Sequence, residues 1–543
     1  MSWDRLRSEA INCAAHLRAS GLRQGDRLAL VMPAARDFVP TFLGAVWAGI
    51  VPAPFHAPAS PGNPASYLAS LAGALEKIQP AYLATTGKVA EEIRGDVRLA
   101  ASLSGIVTAE ALKNDAPDSY PCEPIEVAGD DVVFLQFTSG STGGPRAVEI
   151  THASLRANAW AIMRENLKAD SDRDHGVSWL PLTHDMGLIG FVLSPLFHKI
   201  QVTFIPTTSF VRNASVWLDT IHQKRATISF APNFAFALTT KRAHASHLSK
   251  WDLSCVRALG CGAEPINPAT MRGFIEKFAP CGLRPEAILP CYGMAEATLA
   301  ISFGRLDEVF SLDLIARSGL LEHRRAIPVA TPEGEDVVEM VCCGPPLHGH
   351  EVAAFDERGQ RLVPRQVGEL WMRGPSVARG YHGDPEASRL AFSGGWLRTG
   401  DLGYIADGSV HVTGRKKDLI IINGRNYDPQ RIEWLLDGVP AVRNGSGIAF
   451  SVPGPATEEL VICVESRTRE PEALQVILRS RIATELQLIP SKIVVSAPGT
   501  LPRTVNGKRR RAVARQQYLD ATVRQAPTDV TAGKPIEIGM VHR

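Results

Sequence analysis

The chain has 543 residues, which is too long for one ordinary hydrophobic core and predicts a large domain together with a smaller one. Apolar residues make up 45% and charged residues 21%, which is typical of a globular protein and excludes a fibrous or disordered chain. The formal net charge of +2 excludes a global field that would attract nucleic acid or anionic lipid, so any basic patch must be local.

The nine cysteines are scattered and show no CxxC spacing, so we expect reduced thiols in a cytoplasmic protein. The first residues also lack the apolar segment of a secretory signal. Residues 38–75 contain no Asp, Glu, Lys or Arg, and a membrane span is one interpretation of that stretch. Six prolines interrupt it, however, and leave no helix long enough to cross about 30 Å of hydrocarbon. We therefore expect a buried helix and loop here, and no membrane span.

Short apolar, β-branched runs alternate with helical patterns over the first part of the chain. This alternation predicts mostly parallel sheets that are covered by helices. The predicted strands are residues 27–32, 132–137, 202–205, 227–230, 256–259 and 287–289, and the clearest predicted helices are residues 5–20, 214–223 and 268–278. The large domain is therefore predicted to belong to the α/β class.

Further along the chain, residues 337–412 show strand and turn patterns punctuated by Gly-Pro pairs, which predict a β-rich part. The rest predicts a small α+β domain, with strands at 419–422, 447–452, 460–464 and 492–495 and helices at 429–436 and 472–485. We accordingly predict a large domain at residues 1–414, a small mobile domain at 415–525 and a flexible tail at 526–543.

One loop between two strand-like runs contains only glycine and hydroxyl-bearing residues: Thr138, Ser139, Gly140, Ser141, Thr142, Gly143 and Gly144. Glycine lets backbone N–H groups wrap an anion, and hydroxyls donate further hydrogen bonds to phosphate oxygens. Arg146 follows, and its guanidinium can bind two phosphate oxygens at once. The composition favours a phosphate-binding loop, although a flexible linker has the same composition. It is not a Walker A loop, because the G-x-x-x-x-G-K-[ST] pattern is absent.

Six more short motifs follow this loop in order along the chain. They are WLPLTHDMG at 179–187, GAEP at 262–265, YGMAE at 292–296, TGD at 399–401, GR at 414–415 and NGK at 506–508. Together with the loop they resemble the adenylate-forming superfamily of acyl-CoA synthetases, peptide-synthetase adenylation domains and luciferases. The resemblance covers roughly residues 3–520, and the ordered set is far more specific than any single motif.

Within that superfamily the chain is most similar to the fatty acyl-AMP ligases. The sequence segments that carry this similarity are HDMGLIG at 184–190, APNFA at 231–235, AEAT at 295–298 and KDLIIINGRN at 417–426. The segment between Leu299 and Val341 also looks longer than in typical acyl-CoA synthetases. In the acyl-AMP ligases an insertion here is associated with loss of CoA transfer, which implies an acyl carrier protein, or a carrier domain of a polyketide or peptide synthase, as acceptor. A CoA-dependent synthetase and a catalytically degenerate, adenylate-binding scaffold are the alternatives.

The resemblance implies a fatty acid substrate, with ATP and Mg²⁺ as cofactors, and it assigns roles to individual residues. Glu296 would hold Mg²⁺, Asp401 would accept hydrogen bonds from the ribose, and Lys508 would stabilise negative charge on the α-phosphate. The other implied nucleotide-binding residues are Gly262, Ala263, Glu264, Tyr292, Gly293, Met294 and Arg415, in addition to the loop Thr138–Gly144 and Arg146.

His184 and Arg415 join Lys508 as implied catalytic residues, and Lys417 occupies the family's hinge position. An apolar run is a candidate wall for the acyl chain, with core packing as its alternative: Pro232, Asn233, Phe234 and Phe236. The chain departs from the family pattern at Arg146, where lysine is usual, and at Ala147, where glycine is usual. Three arginines follow Lys508, but the near-neutral total charge and the lack of interleaved aromatics argue against nucleic-acid binding.

Overall fold

The computed structural model describes residues 1–57, 64–114, 123–138, 145–331, 334, 336–423, 425–454, 458–503 and 508–524. The chain begins with α1 (Trp3–Ala19), β1 (Arg27–Val31), α2 (Ala35–Trp47), β2 (Val51–Pro54), α3 (Pro64–Ile78), β3 (Tyr82–Thr85), α4 (Gly87–Arg94), α5 (Val97–Ala101) and β4 (Gly105–Thr108). The four strands form a wholly parallel sheet in the order β2-β1-β3-β4. The charge-poor stretch therefore contributes to α2, β2 and α3, and no helix in the described ranges is long and apolar enough to cross a membrane.

A second sheet follows a hairpin. The elements are β5 (Val132–Thr138), β6 (Arg146–Thr151), α6 (His152–Trp160), β7 (His175–Ser178), α7 (Asp185–Leu188), α8 (Ser194–His198), β8 (Gln201–Phe204), α9 (Thr207–Arg212), α10 (Ser215–Lys224), β9 (Ile228–Ala231), α11 (Asn233–Arg242), α12 (Ala245–Leu248), β10 (Ala258–Cys261), α13 (Pro268–Phe278), β11 (Ile288–Gly293) and β12 (Ala300–Phe303). The sheet order is β12-β11-β10-β9-β7-β8, parallel except for the β11–β12 pair. Two π-helical segments, Ala161–Asn166 and Ile189–Leu193, continue α6 and α7.

The sequence patterns explain these elements well. Helix α13 spans the predicted range, because Asn267 accepts hydrogen bonds from the first helical N–H groups and Pro268 occupies the first turn. Met271, Phe274 and Phe278 recur at helical spacing, and all three are fully buried. The strand predicted at 132–137 is the exception to the parallel prediction, because β5 pairs antiparallel with β6.

After β13 (Leu312–Ala316) and α14 (Arg317–His323), the β-rich part predicted at 337–412 is confirmed. It contains β14 (Val337–Val341), β15 (Glu351–Phe355), β16 (Gly368–Arg373), α15 (Pro385–Ala391), β17 (Phe392–Ser393), β18 (Trp396–Ala406) and β19 (Ser409–Arg415). Strands β15 to β19 form one antiparallel sheet, and β13 pairs with β14 across the long segment between Leu299 and Val341.

The last part contains β20 (Ile420–Ile422), β21 (Arg425–Tyr427), α16 (Pro429–Asp437), β22 (Val442–Pro453), β23 (Glu458–Ser466), α17 (Pro471–Leu486), β24 (Lys492–Ser496) and α18 (Arg511–Arg524). Within the described residues, the single-turn 3₁₀ helices are Ala111–Lys113, Ala279–Cys281, Pro285–Ala287, Ala295–Ala297 and Lys416–Asp418. The described residues confirm the predicted α+β content here, whereas helix α18 lies in a segment for which the sequence analysis predicted no helix.

Buried residues from Ile420 onward form clusters separate from those that end at Val410. Leu321 of α14 is an exception, because it packs against the later cluster. The separate cores agree with two units, but the boundary at residue 414 stays a prediction. The predicted tail, residues 526–543, lies outside the described part of the chain.

Candidate active site

A cavity of about 1150 Å³ lies at the carboxyl ends of the parallel strands of the second sheet. Loops that follow β7, β10 and β11 line it from one side, and residues from Lys508 to Val513 line it from the other. This is the edge at which open α/β sheets bind ligands, because neighbouring loops diverge there. Most of the predicted site residues that the structure describes line this one cavity.

The predicted phosphate loop connects β5 to β6 as a hairpin, and its two ends, Thr138 and Arg146, are paired and line the cavity. Residues 139–144, from Ser139 to Gly144, lie outside the described residues. The guanidinium of Arg146 lies 5.0 Å from the ring centroid of Tyr381, and its Nε lies 3.7 Å from Asp384 Oδ2. A planar guanidinium can stack on this ring in a way that the usual lysine cannot reproduce.

A hydrogen-bonded group surrounds Asp401, which is 6% exposed. Tyr292 Oη donates to Asp401 Oδ2 at 2.8 Å, and Arg415 Nε donates to Asp401 Oδ1 at 2.8 Å. The charge of Asp401 raises the pKa of Arg415, and burial followed by the same charge raises the pKa of Tyr292 well above its usual value. The group therefore holds a neutral phenol, a carboxylate and a permanent cation at the cavity wall.

Glu296 lies in a short helix after β11 and is 8% exposed. Tyr381 Oη donates a hydrogen bond of 2.9 Å to Glu296 Oε1. Burial raises the pKa of Glu296, and the Tyr381 hydrogen bond opposes that rise. A buried carboxylate of this kind fits a divalent cation, which would offset the loss of solvation. Because the described residues contain no cluster of three or more metal-binding side chains, such an ion would take its other ligands from phosphate oxygens and water.

His184 stands at the start of α7, and its Nδ1 lies 2.5 Å from Asp185 Oδ1. Burial by itself would raise the pKa of Asp185, but the charge and hydrogen bond of His184 and the charge of Lys508 hold it below its usual value.

A second histidine lies near His184: Thr183 Oγ1 lies 2.7 Å from His56 Nδ1. Burial, with a smaller effect from His184, lowers the pKa of His56 to about 4, so its ring is neutral at pH 7. His56 belongs to no recognisable motif, so it was not predicted from the sequence.

Lys508 lines the cavity from the later part of the chain. Burial lowers the pKa of its ammonium, while Asp185 and Glu264 oppose that shift. Burial also raises the pKa of Glu264, which accepts a hydrogen bond from the backbone N–H of Phe234 at 2.7 Å. The Lys508 ammonium thus lies in the same cavity as the carboxyl groups of Asp185 and Glu264, which belong to the predicted large domain.

The loops after β10 and β11 are sterically constrained. A side chain at Gly293 would place Cβ 2.0 Å from the carbonyl oxygen of Leu299, and one at Gly262 would lie 2.6 Å from Cys291 Sγ. Ala263 adopts a φ of +65°, in the left-handed region. Ala263, Gly293 and Met294 line the cavity, whereas Gly262 lies behind it. Lys417, predicted as the hinge, lies on the cavity rim in the 3₁₀ helix after β19.

The cavity extends into an apolar arm between the second sheet and the two π-helical segments. The lining residues of this arm include Ile162, Met163, Leu167, Phe191, Pro195, Ile200, Val202, Ile228, Phe230 and Phe303. They are spread over six elements and two connecting residues between Ile162 and Phe303, so no contiguous motif marked them.

The four predicted acyl-wall residues occupy a different place. Pro232, Asn233, Phe234 and Phe236 start helix α11 and do not line the cavity. Phe236 is fully buried, with its ring centroid 5.5 Å from that of Trp217 and 4.9 Å from that of Phe274. Phe236 is therefore a core residue, which was the alternative interpretation of this run, because it is fully buried against other aromatic rings.

Comparison with known proteins agrees with this geometry. The family model described as AMP-binding enzyme matches residues 1–382. The chain belongs to this family. Among curated relatives, the long-chain-fatty-acid–AMP ligase FadD32 of Mycolicibacterium smegmatis is 33% identical over 92% of this chain and 86% of its own length. A Caulobacter vibrioides protein with a provisional acyl-CoA synthetase name is 36% identical over 96% of this chain and 91% of its own length.

Solved structures give the same family placement. A structure from a study of fatty acyl-adenylate ligases from E. coli and L. pneumophila has a TM-score of 0.91 and 34% identity, and the match covers 97% of this chain and 94% of that one. The L. pneumophila ligase in complex with acyl adenylate and pyrophosphate has a TM-score of 0.72 and 30% identity, over 96% and 91% of the two chains. The α/β adenylate-forming fold predicted from the motifs is therefore confirmed.

Proposed function

We propose that this AMP-binding enzyme activates a fatty acid with ATP, forming an acyl-adenylate and releasing pyrophosphate. The observation that carries the proposal is the convergence on one cavity of the half-buried Lys508, the buried Tyr292–Asp401 pair with Arg415 bonded to it, and an apolar arm. The polar part has the charges that a nucleotide requires, and the apolar arm suits an alkyl chain. The relatives named above as fatty-acid–AMP ligases support the same assignment.

In the proposed reaction a carboxylate oxygen of the fatty acid attacks the α-phosphorus of ATP. The new C(O)–O–P bond forms as the bond to the bridging oxygen of pyrophosphate breaks, and pyrophosphate leaves with that electron pair. Lys508 would stabilise the negative charge that grows on the α-phosphate oxygens. His184, fixed by Asp185 at 2.5 Å, would lie beside the incoming carboxylate.

The remaining polar residues would bind the nucleotide. Asp401 would accept hydrogen bonds from the ribose hydroxyls, and Arg415 would lie beside the same sugar. Tyr292 would lie against the adenine. The predicted phosphate loop, with Thr138 and Arg146 at its ends, would hold the β- and γ-phosphates. Mg²⁺ bound at Glu296 would supply charge neutralisation for the pyrophosphate that leaves.

We further propose that the acyl group passes to the phosphopantetheine thiol of a carrier protein. Two contacts support this proposal, because they join the long segment between Leu299 and Val341 to the part of the chain after residue 414, here called the small unit. Arg425 Nη2 donates to Glu322 Oε1 at 2.7 Å, and Leu321 packs against the core of the small unit. An insertion fixed in this way would restrain rotation of the small unit. The provisional name of the C. vibrioides relative favours CoA as the second candidate acceptor.

The first test is fatty-acid-dependent exchange of pyrophosphate into ATP, with mass spectrometry of the acyl-adenylate made from a mixture of fatty acids. Lys508→Ala should lower the exchange rate by about 10²- to 10³-fold. Lys492→Ala, at an exposed lysine on β24, is the matched control and should leave it unchanged. Exchange that survives Lys508→Ala at the wild-type rate contradicts the assignment.

The acceptor is tested separately. CoA and a phosphopantetheinylated carrier protein are offered side by side to enzyme that holds labelled acyl-adenylate. We expect label on the carrier protein, and preferential formation of acyl-CoA would instead identify a CoA synthetase.

A further inference from the structure

The backbone that follows Lys508 is fixed to the strand-like residues 502–503. Arg509 forms an isolated antiparallel bridge with Arg503, and the N–H of Arg510 donates to the carbonyl of Pro502 at 3.1 Å. Helix α18 begins immediately afterwards, at Arg511. Lys508 therefore lies on a short connection whose direction depends on the arginines that follow it.

Both Arg509 and Arg511 are held by one carboxylate. Glu433 on α16 is 0% exposed and accepts hydrogen bonds from Arg511 Nε at 2.8 Å and Arg511 Nη2 at 2.7 Å. Arg509 forms an ion pair with the same carboxylate, its Nε lying 3.4 Å from Glu433 Oε2 while donating a hydrogen bond to the carbonyl of Gly447 at 2.7 Å, and the N–H of Ala449 donates to Glu433 Oε1 at 3.1 Å. Glu433 is therefore a fully bonded, two-arginine clamp behind the lysine.

The same clamp reaches the connection between the two units. Arg511 Nη1 donates to Asp418 Oδ2 at 2.7 Å, and Arg511 Nη2 donates to Gln430 Oε1 at 2.8 Å. Asp418 ends the 3₁₀ helix that directly follows Arg415. One guanidinium thus links the segment that carries Lys508 to the segment that carries Arg415.

We propose that Glu433 is a positioning residue for adenylation, which sets the place of Lys508 in the cavity through Arg509 and Arg511. The inference rests on the proposed function, because it assigns Lys508 to the attack on ATP. A purely structural role would affect every activity of the small unit. A positioning role predicts a selective loss, because the proposed function places Lys508 at the phosphorus that is attacked in adenylation, whereas in transfer the thiol attacks the carbonyl carbon and the phosphorus is not the reacting atom.

The test separates the two half-reactions. Glu433→Gln keeps the shape of the side chain but removes the charge that both arginines share. We expect fatty-acid-dependent pyrophosphate exchange to fall by roughly 10- to 100-fold, since a displacement of about 1 Å can have that effect. Transfer of the acyl group from supplied acyl-adenylate to the acceptor thiol should stay within about twofold of wild type. In the double variant Glu433→Gln/Lys508→Ala, exchange should be no slower than in Lys508→Ala, because residues that act as a unit are not additive.

Asp174→Asn is the matched control for loss of a buried carboxylate. Asp174 accepts hydrogen bonds from Arg257 Nε at 2.8 Å and Arg257 Nη2 at 2.7 Å and does not line the cavity. Its variant should lose stability while both half-reactions persist. If Glu433→Gln does not fold, Arg511→Lys gives the same test, because a lysine cannot join Glu433, Gln430 and Asp418 together.

Two results overturn the positioning role. One is an equal loss in both half-reactions, and the other is a double variant clearly slower than Lys508→Ala. A wild-type enzyme that makes no acyl-adenylate overturns the proposed function itself, and the positioning role with it.

Discussion

The carboxylate of Asp401 offers a direct measurement of ribose recognition. Its two oxygens already accept hydrogen bonds from Tyr292 and Arg415, each at 2.8 Å. A carboxylate has about four acceptor positions, so two remain for the ribose hydroxyls. Asp401→Asn keeps the shape and removes the charge. A hydrogen bond to a charged group contributes about 1.5–3 kcal/mol and a neutral one about 0.5–1.5 kcal/mol. The loss over two hydroxyls is therefore roughly 2–3 kcal/mol, or about 30- to 150-fold in KM for ATP.

The assay is the initial rate of pyrophosphate exchange as a function of ATP, 2′-deoxy-ATP and 3′-deoxy-ATP concentration. Wild type should discriminate against both deoxy nucleotides, and Asp401→Asn should discriminate much less, with KM for the fatty acid unchanged. Tyr292→Phe removes one bond to Asp401 and leaves the carboxylate, so whatever its KM for ATP, it should keep the discrimination against both deoxy nucleotides. The reasoning is refuted if the variant keeps the wild-type KM for ATP, or if it penalises the deoxy nucleotides as strongly as wild type.

Three further predictions concern the lysine, the core and the loop after β11. Because burial lowers the pKa of Lys508, its charge is lost as pH rises through that depressed value, so exchange should decline at alkaline pH; Lys508→Arg, a permanent cation, should abolish this decline whatever its absolute rate. Phe236→Ala should lower the free energy of unfolding by about 3–5 kcal/mol in denaturant titrations, with little change in KM for the fatty acid. A large rise in that KM would instead show that Phe236 contacts the acyl chain. Gly293→Ala should destabilise the protein by roughly 1–3 kcal/mol and slow exchange, because its Cβ would lie 2.0 Å from the carbonyl oxygen of Leu299; unchanged thermal unfolding and exchange would contradict the steric model.

The fold was largely predictable because local patterns agree with the final structure. The predicted strand at 202–205 differs by one residue from β8, and the predicted helix at 268–278 coincides with α13. The antiparallel pairing of β5 was not predictable from alternation, since pairing direction depends on where the next strand lies. Helix α18 was missed because it begins at the last residue of an arginine run and its few apolar residues are set among polar ones, so the apolar periodicity is weak.

The candidate site likewise contains residues that could be predicted from the sequence and residues that could not. Motif residues such as Asp401 and Lys508 could be proposed from sequence because each carries its chemistry in a short, ordered segment. The apolar arm could not, since Met163, Phe191 and Val202 meet only through tertiary packing. His56 could not be predicted for a related reason, because its hydrogen-bonding neighbour Thr183 is 127 residues away in sequence.

The two π-helical segments beside the apolar arm have a consequence for how its length can change. A π turn holds one residue more than an α-helical turn. Deleting one residue within Ile189–Leu193 would restore regular α-helical spacing and leave the residues that follow, including Pro195, in place, so the change would fall on the side chains of that turn, among them Phe191 of the arm. The arm can therefore be reshaped by residue count alone, so variants that differ by a single deletion there should differ in the chain lengths they accept.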